Sequence, residues 1–383
     1  MKVAIIGAGI GGLTAGIALR RGGIDVAVYE QARELREVGA GVGLWPNALR
    51  ALEPLGLAAG VLELAGGTIG TGLKRPDGRW ILRQPKEVVE KRWGSGLVAV
   101  HRAELQSLLA SSLGSDAIHL DCRCTGFTAI DPGVIVHFEN GRDVGVDALV
   151  GADGIHSIVR EQLFGPSPPR YRGYVAWRGA TPASSVPFGG DSIETWGRGA
   201  RFGLQPTSGE RILWYATANS PPDEADDGDV KERLLERFQH WHAPIGQTIE
   251  STAADAIVRN DIYDRRPTRT WTRGPVALIG DAIHPMTPDL GQGACQAMVD
   301  ATTLARCLIT GPDVQSALRT YQRCRFANAA ITTLYARLFG TVGQWEGAFS
   351  CAARDAALKA TPMSVQLRQL DLIVGREGAG LRR

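Results

Sequence analysis

Asp281 and the triplet Gly291-Gln292-Gly293 stand close together in this chain and offer two complementary chemistries. The carboxylate accepts hydrogen bonds from hydroxyl groups. The triplet brings bare backbone to the start of a helix, whose free N–H groups and positive dipole end suit an electron-rich or anionic ligand. A sugar-like chain attached to a reducible ring requires both. The elements that must position these groups surround them. Val276 to Ile279 is a short apolar run that reads as a buried parallel strand. Gly280 then turns the chain, so Asp281 stands at the strand's C-terminal end, where ligands bind in open α/β sheets. Pro285 and Pro288 hold the next segment extended. The helix that follows carries Ala294, Ala297, Met298, Ala301, Leu304, Ala305 and Leu308 on one face. Read alone, the segment is equally an ordinary strand–loop–helix crossover whose glycines serve tight turns.

A second stretch points to the same kind of ligand. Lys2 to Ile6 is an apolar strand, followed by GxGxxG at Gly7, Gly9 and Gly12, a helix to Arg21, and a strand from Asp25 to Tyr29 that ends at Glu30. This is the dinucleotide fingerprint in its full βαβ context. The first glycine makes the turn, the second lets backbone approach a pyrophosphate, and the third lets helix and strand pack. Glu30 would accept hydrogen bonds from an adenosine ribose, and its charge argues against a 2′-phosphate there. A nucleotide-free α/β turn is the alternative.

A third stretch is Ala148-Leu149-Val150, a buried strand running into Gly151-Ala152-Asp153-Gly154. It puts another carboxylate at a strand's C-terminal edge, facing the ligand crevice or capping the next helix. Between these stretches, Val38 to Asn47 is a glycine-rich loop that lets the chain pass close to a flat ligand. Asn47 then reads as the N-cap of a helix over Ala48 to Leu57. Residues 66–94 look like an excursion, with a hairpin turn at Arg75-Pro76-Asp77-Gly78-Arg79. Leu97 to Val100 is a strand leading into a helix that begins with His101-Arg102 and ends near Leu113. Residues 119–127 and 133–138 read as strands. Pro166 to Thr270 alternates as antiparallel strands do, over residues 172–179, 192–196, 200–206 and 211–217. Trp177, Arg201, Trp214 and Tyr215 are pocket candidates there, although alternation turns half of such side chains away from any site. Residues 219–229 form an acidic loop and 231–242 a short helix. A long helix over 314–339 follows, then a short helix with a frayed tail over 344–383.

The chain has 383 residues, enough for two domains. Its net charge of +2 gives no field that would recruit nucleic acid, and no apolar run is long enough to span a bilayer. MKVAIIGAG enters a strand directly, without a signal-peptide layout, so a cytoplasmic protein is expected. Cys122, Cys124, Cys295, Cys307, Cys324 and Cys351 are scattered without CxxC spacing, and Cys122 and Cys124, on one face of a probable strand, read as buried free thiols. No cluster has metal-ligand spacing.

Taken together, GAGIGG, Glu30, GAGVGLWPNAL, VGADGIHSIVR and GDAIHPMTPDLGQG resemble the single-component FAD-dependent monooxygenases. That family includes the para-hydroxybenzoate, salicylate and urate hydroxylases and the tetracycline-modifying enzymes. The resemblance runs from residue 1 to about Gly340. It implies an α/β fold: a Rossmann-like FAD-binding domain with a parallel sheet, an inserted antiparallel-sheet substrate domain, and C-terminal helices. The implied boundaries are 1–70, 97–165 and 272–330 for the first, 71–96 and 166–271 for the second, and 331–383 for the helices. It implies FAD, with NADPH or NADH as a transient reductant, and oxygen transfer from a flavin hydroperoxide to an aromatic, heteroaromatic or polyketide-like small molecule.

Carried over residue by residue, it assigns cofactor binding to Gly7, Gly9, Gly12, Glu30, Val42, Arg102, Asp153, Gly154, Asp281, Gly291, Gln292 and Gly293. Arg102 would reach the flavin pyrophosphate. Arg201, Tyr215 and Pro288 would stand nearest the chemistry. The chain departs from individual members at Gly43, where some pyridine and salicylate hydroxylases carry a histidine base, and at Leu213, where the urate hydroxylases carry a tyrosine. A general base is therefore not identified. A monomer or homodimer is expected. An epoxidase or oxidase of the same fold and a non-catalytic flavin redox sensor are the alternatives.

Overall fold

The computed structural model describes residues 1–35, 41–208, 211–224 and 228–375. Two sheets organise them. The first has six strands in the order Thr272–Arg273, Val276–Leu278, Ala148–Gly151, Lys2–Ile6, Asp25–Tyr29, Ile118–His119. All but the first pair in parallel. Its central strands are runs of Val, Ile, Ala and Leu because both faces are covered, one by helices and the other by a three-stranded antiparallel sheet of Cys124–Ala129, Val134–Phe138 and Asp143–Val146, whose Phe138 packs on Tyr29 with centroids 4.6 Å apart. Register does the positioning. Ile6 pairs with Gly151, and Gly151 pairs with Leu278, so three strands end level with one another. The turns that leave them, at Gly7, Ala152 and Gly280, therefore open on one edge. Helices Ile10–Arg21 and Gly293–Thr310 start from that edge and pack closely, with Gly11 against Ala297.

The second sheet has seven strands in the order Val258–Asp264, Arg170–Pro182, Arg211–Asn219, Ala200–Pro206, Ser192–Trp196, Thr71–Lys74, Trp80–Gln84. The last two are the hairpin of the 66–94 excursion, closed by the Arg75 N–H on Arg79 O at 2.9 Å. Thr71–Lys74 pairs in parallel with Ser192–Trp196, which seats the excursion on the edge of this sheet. Alternation sorts the two faces. Val175, Trp177, Phe202, Leu204, Ile212 and Trp214 face a core closed by Leu234, Phe238, Ile245 and Ile249. Trp214 stacks on Phe202 with centroids 5.5 Å apart and donates from Nε1 to Thr252 at 2.9 Å. Trp177 is thus a core residue, and Trp214 belongs to the same core while also touching the cavity between the sheets. Arg178, Glu194, Arg201, Leu213 and Tyr215 lie on the opposite face.

Other expectations need correction. The helix expected over Ala48–Leu57 begins earlier, at Pro46, and breaks after Leu52. Pro54 supplies no N–H, and Gly56 takes a left-handed φ of 59°, so a short 3₁₀ turn leads to a second helix, Ala58–Ala65. Asn47 is therefore inside the first turn, and Trp45 occupies the cap position. The excursion also contains a helix, Lys86–Trp93. The segment after the long helix Val314–Gly343 holds two helices, Ala348–Ala360 and Met363–Leu370. Cys324 is exposed, while the other five cysteines are buried. Val38 to Ala40 of the glycine-rich loop lie outside the described residues. No helix among the described residues is long and apolar enough to cross a membrane.

Candidate active site

A cavity of about 1170 Å³ lies between the two sheets. Its floor is the shared edge of the parallel sheet. Gly7 turns there with φ 104°, and a Cβ on it would stand 2.5 Å from Ala152 O. A Cβ on Gly12 would stand 1.9 Å from Gly7 O, so helix and turn touch through backbone alone. Gly9 differs: it lines the cavity, and a Cβ there would meet nothing within 4 Å. Glu30 is half-buried, and its oxygens receive the Ala8 N–H at 2.8 Å and the Ala32 N–H at 2.9 Å. Each oxygen keeps a lone pair for a further donor.

Asp281 opens into the cavity and, among the described residues, has no hydrogen bond or ion pair. Protein surrounds it on the remaining sides, and that burial pushes its pKa up, with His284 and Arg102 pulling the other way. Arg102 begins the helix Arg102–Leu113, is exposed, lines the same cavity and also lacks an acidic partner among the described residues. Val42, Gly154, Pro288, Gly291, Gln292 and Gly293 line it too. Asp153 does not. Its Oδ2 takes the N–H groups of Ile158 at 2.9 Å and Val159 at 3.2 Å, so the capping reading describes what this carboxylate does here.

The roof is the second sheet. Arg201 is 1% exposed yet reaches the cavity. It pairs with Asp289, meets Glu194 at 3.2 Å, and donates from Nε to Gln344 at 2.9 Å. Burial alone would lower its pKa, but Asp289 and Glu194 more than offset this and hold it raised. Tyr174 donates to the other Asp289 oxygen at 2.7 Å. Since Asp289 directly follows Pro288, this cluster clamps the Pro288 loop to the roof. Tyr215 lines the cavity beside Glu194, and burial with that neighbouring carboxylate keeps its phenol well above its ordinary pKa. Gly203 opposite makes room for the ring, since a Cβ would fall 2.1 Å from Tyr215 Cε1. Burial raises the Glu194 carboxyl as well, with Arg201 acting against it. Leu213 reaches down to Gly41, where any Cβ would meet its Cδ1 at 2.0 Å.

Residues 1–333 match the FAD binding domain family. The chain belongs to this family of FAD-dependent monooxygenases. Aurachin C monooxygenase/isomerase of Stigmatella aurantiaca is 41% identical over 359 residues, covering 94% of both chains. The FAD-dependent urate hydroxylase of a Klebsiella pneumoniae strain is 37% identical over 331 residues, covering 85% of this chain and 86% of that one. The structure of Klebsiella pneumoniae HpxO complexed with FAD and uric acid superposes with a TM-score of 0.90 at 31% identity, over 97% of this chain and 96% of that one.

The floor of this monooxygenase fits FAD on its own geometry. A carboxylate and a guanidinium, each unpaired among the described residues, share one cavity with a bare glycine face, and these suit ribityl hydroxyls, a pyrophosphate and its close approach to backbone. Sequence reasoning missed several lining residues. Glu194 shares a face with Ser192 and Trp196 on a strand where nothing distinguishes it from a solvent-facing acid. Arg178, on the roof, donates to Asn260 at 2.9 Å. Asn47, which fits a helix cap by type and place, instead stands behind the lining, 1% exposed, and donates to Gln292 at 3.0 Å. Tyr335, Phe339, Leu370 and Ile373 close one end of the cavity from the C-terminal helices and the turn after them. Their helical spacing could not show which cavity they would cover.

Proposed function

We propose that this monooxygenase uses NADPH or NADH and dioxygen to hydroxylate an aromatic or heteroaromatic small molecule. One observation carries the reading: a nucleotide-type floor and a roof with buried acid, phenol and guanidinium groups share a single cavity. When bound, FAD would accept two electrons from the nicotinamide and pass them to dioxygen, which activates it.

The protein's part is to bind, orient and exclude water. Gly9 and the N-terminus of the helix Ile10–Arg21 receive a pyrophosphate, with Arg102 as its cation, and Gly7 and Gly12 shape the turn. Glu30 accepts from the adenosine ribose. Asp281 accepts from the ribityl hydroxyls. Val42 and Gly154 pass along the cofactor, and the Gly291 to Gly293 segment offers N–H donors to its ring. Asp153 contributes by capping the helix that begins at Ile158. Arg201 acts by holding Asp289, and so Pro288, in place. Tyr215 keeps its proton and serves as a hydrogen-bond partner for the substrate. Glu194, raised by burial and open to the cavity, is the group placed to take a proton from a substrate hydroxyl. A substrate activated in this way needs neither the histidine absent at Gly43 nor the tyrosine absent at Leu213.

The visible spectrum of the purified protein tests this first, followed by NADPH and NADH consumption against phenolic, heteroaromatic and polyketide compounds. A yellow protein should result, with oxidation accelerated by one compound and a product heavier by one oxygen. Flavin reduction that no compound accelerates would favour the redox-sensor reading instead.

A further inference from the structure

Behind the cavity floor, a line of buried side chains runs from Asp300 to Gln292. Asp300 Oδ2 accepts the Gly280 N–H at 2.9 Å and lies 2.5 Å from His284 Nε2. Its Oδ1 accepts from Arg325 Nε at 2.7 Å. Arg325 Nη2 donates to Gln296 Oε1 at 2.5 Å, and Gln296 Nε2 donates to Gln292 Oε1 at 3.1 Å. Asn47 Nδ2 donates to the same oxygen at 3.0 Å. Asp300, Arg325, Gln296, Gln292 and Asn47 are each at most 2% exposed, so bulk water cannot stand in for a misplaced partner.

Chemistry fixes the direction of every bond in this line. A guanidinium only donates, so Gln296 must turn its oxygen to Arg325 and its nitrogen to Gln292. That nitrogen also only donates, so Gln292 must answer with its oxygen. Asn47 is left to offer its own nitrogen to that oxygen, and its Oδ1 is buried without a partner among the described residues. An unmet buried acceptor is costly, and here it accompanies two donors converging on one atom. With Gln292 Oε1 held twice, the carboxamide nitrogen remains. Gln292 lines the cavity, and among the described residues this nitrogen meets no acceptor.

We propose that Asp300, Arg325 and Gln296 are positioning residues that set the polarity of the cavity floor from behind. They turn the Gln292 N–H donor toward the ligand. Through the Gly280 N–H, the same carboxylate holds the turn that presents Asp281 as an acceptor. The ligand group facing Gln292 is therefore an acceptor, such as a carbonyl or ring nitrogen of the cofactor. The inference rests on the reading of this cavity as the FAD site.

The test is the FAD dissociation constant and bound-flavin spectrum of the full-length chain in a small set of variants. Gln296→Glu still gives Arg325 an oxygen but offers Gln292 a second acceptor, so the carboxamide must reverse. Gln296→Met removes the constraint without imposing the opposite one. Gln296→Glu should raise the FAD Kd about tenfold and shift the flavin band, and Gln296→Met should raise it about two- to threefold. In a Gln292→Met background, neither change should add more than about twofold. Equal effects of the two substitutions, or full effects without Gln292, would overturn the proposal. Should Gln296→Glu not fold, the cycle of Gln296→Met with Gln292→Met decides by the same additivity criterion. A wild-type chain that binds no FAD would overturn the cofactor reading itself, and that outcome is seen before any variant is compared.

Discussion

The floor and roof of the cavity are built by opposite means. The floor is nearly all backbone, with glycines placed where a Cβ would collide, and its two unpaired charges, Asp281 and Arg102, face the cavity. The roof is side chains on alternating strands, and its charges are paired among themselves before any ligand arrives. Removing a charge from the floor should therefore cost binding, whereas removing the guanidinium that holds the roof cluster together should cost folding. The difference also decides which half could be read from sequence.

The sharpest way to break this contrast lies within the floor. Gly12→Ala puts a Cβ 1.9 Å from Gly7 O, and neither backbone segment can yield without moving a strand. We expect little folded protein and no bound FAD, measured by thermal melting and flavin absorbance. Gly9→Ala meets nothing within 4 Å. It should melt as wild type does and bind FAD more weakly. Equal losses of stability in the two would mean that Gly9 is structural as well.

That pair also explains why the floor was legible. A turn that must approach other backbone tolerates only glycine, which accounts for Gly7 and Gly12, while Gly9 leaves its space to a ligand, and the strand before them leaves an apolar run. The roof strands were legible as strands because alternation is itself a pattern. Their contents were not. Period two says that Glu194 and Trp196 share a face, but nothing local says whether that face meets water or a cavity. Asn47 was misread for a related reason. Its type and place fit a cap, and only the fold brings Gln292 to it. The C-terminal helices show the same limit, since which cavity they close is set by packing between segments far apart in sequence.

Within the roof, Arg201→Met should have the next largest effect. It strands Asp289 and Glu194 without their cation, a loss of about 3–5 kcal/mol of stability for a broken buried network. Urea unfolding would measure it. Adding Asp289→Asn and Glu194→Gln should restore most of the loss, because the penalty is the uncompensated charge and not the missing contact. A single variant as stable as wild type would show that the cluster is not holding the Pro288 loop.

Glu194→Gln separates chemistry from folding in the same cluster. Burial raises the Glu194 pKa above the ordinary carboxylate value of about 4.3. As the base form is the active one, kcat/KM should climb as pH rises through the raised value and then level. The variant should lose the climb and about 10²-fold of the plateau. The stability sign is the reverse. A carboxyl with a raised folded pKa supports the fold below its unfolded value, and that support fades as pH rises through the folded value. The wild type should therefore lose stability relative to Glu194→Gln across that window. A pH profile unchanged by the substitution would remove Glu194 from the reaction.

The smallest effect should come from the arginine of the floor. Arg102→Ala takes away an exposed guanidinium that has no acidic partner among the described residues. Its melting temperature should hardly move, since substitutions away from packed or paired groups stay within about 0.5 kcal/mol. FAD affinity should fall about tenfold, the order of one charge-assisted contact, and the loss should shrink in high salt as the remaining phosphate electrostatics are screened. The two arginines then have opposite phenotypes, one lost in urea and the other in a FAD titration. Were Arg102→Ala to unfold the protein while keeping its affinity for FAD, floor and roof would be held together in the same way, and the division between them would fail.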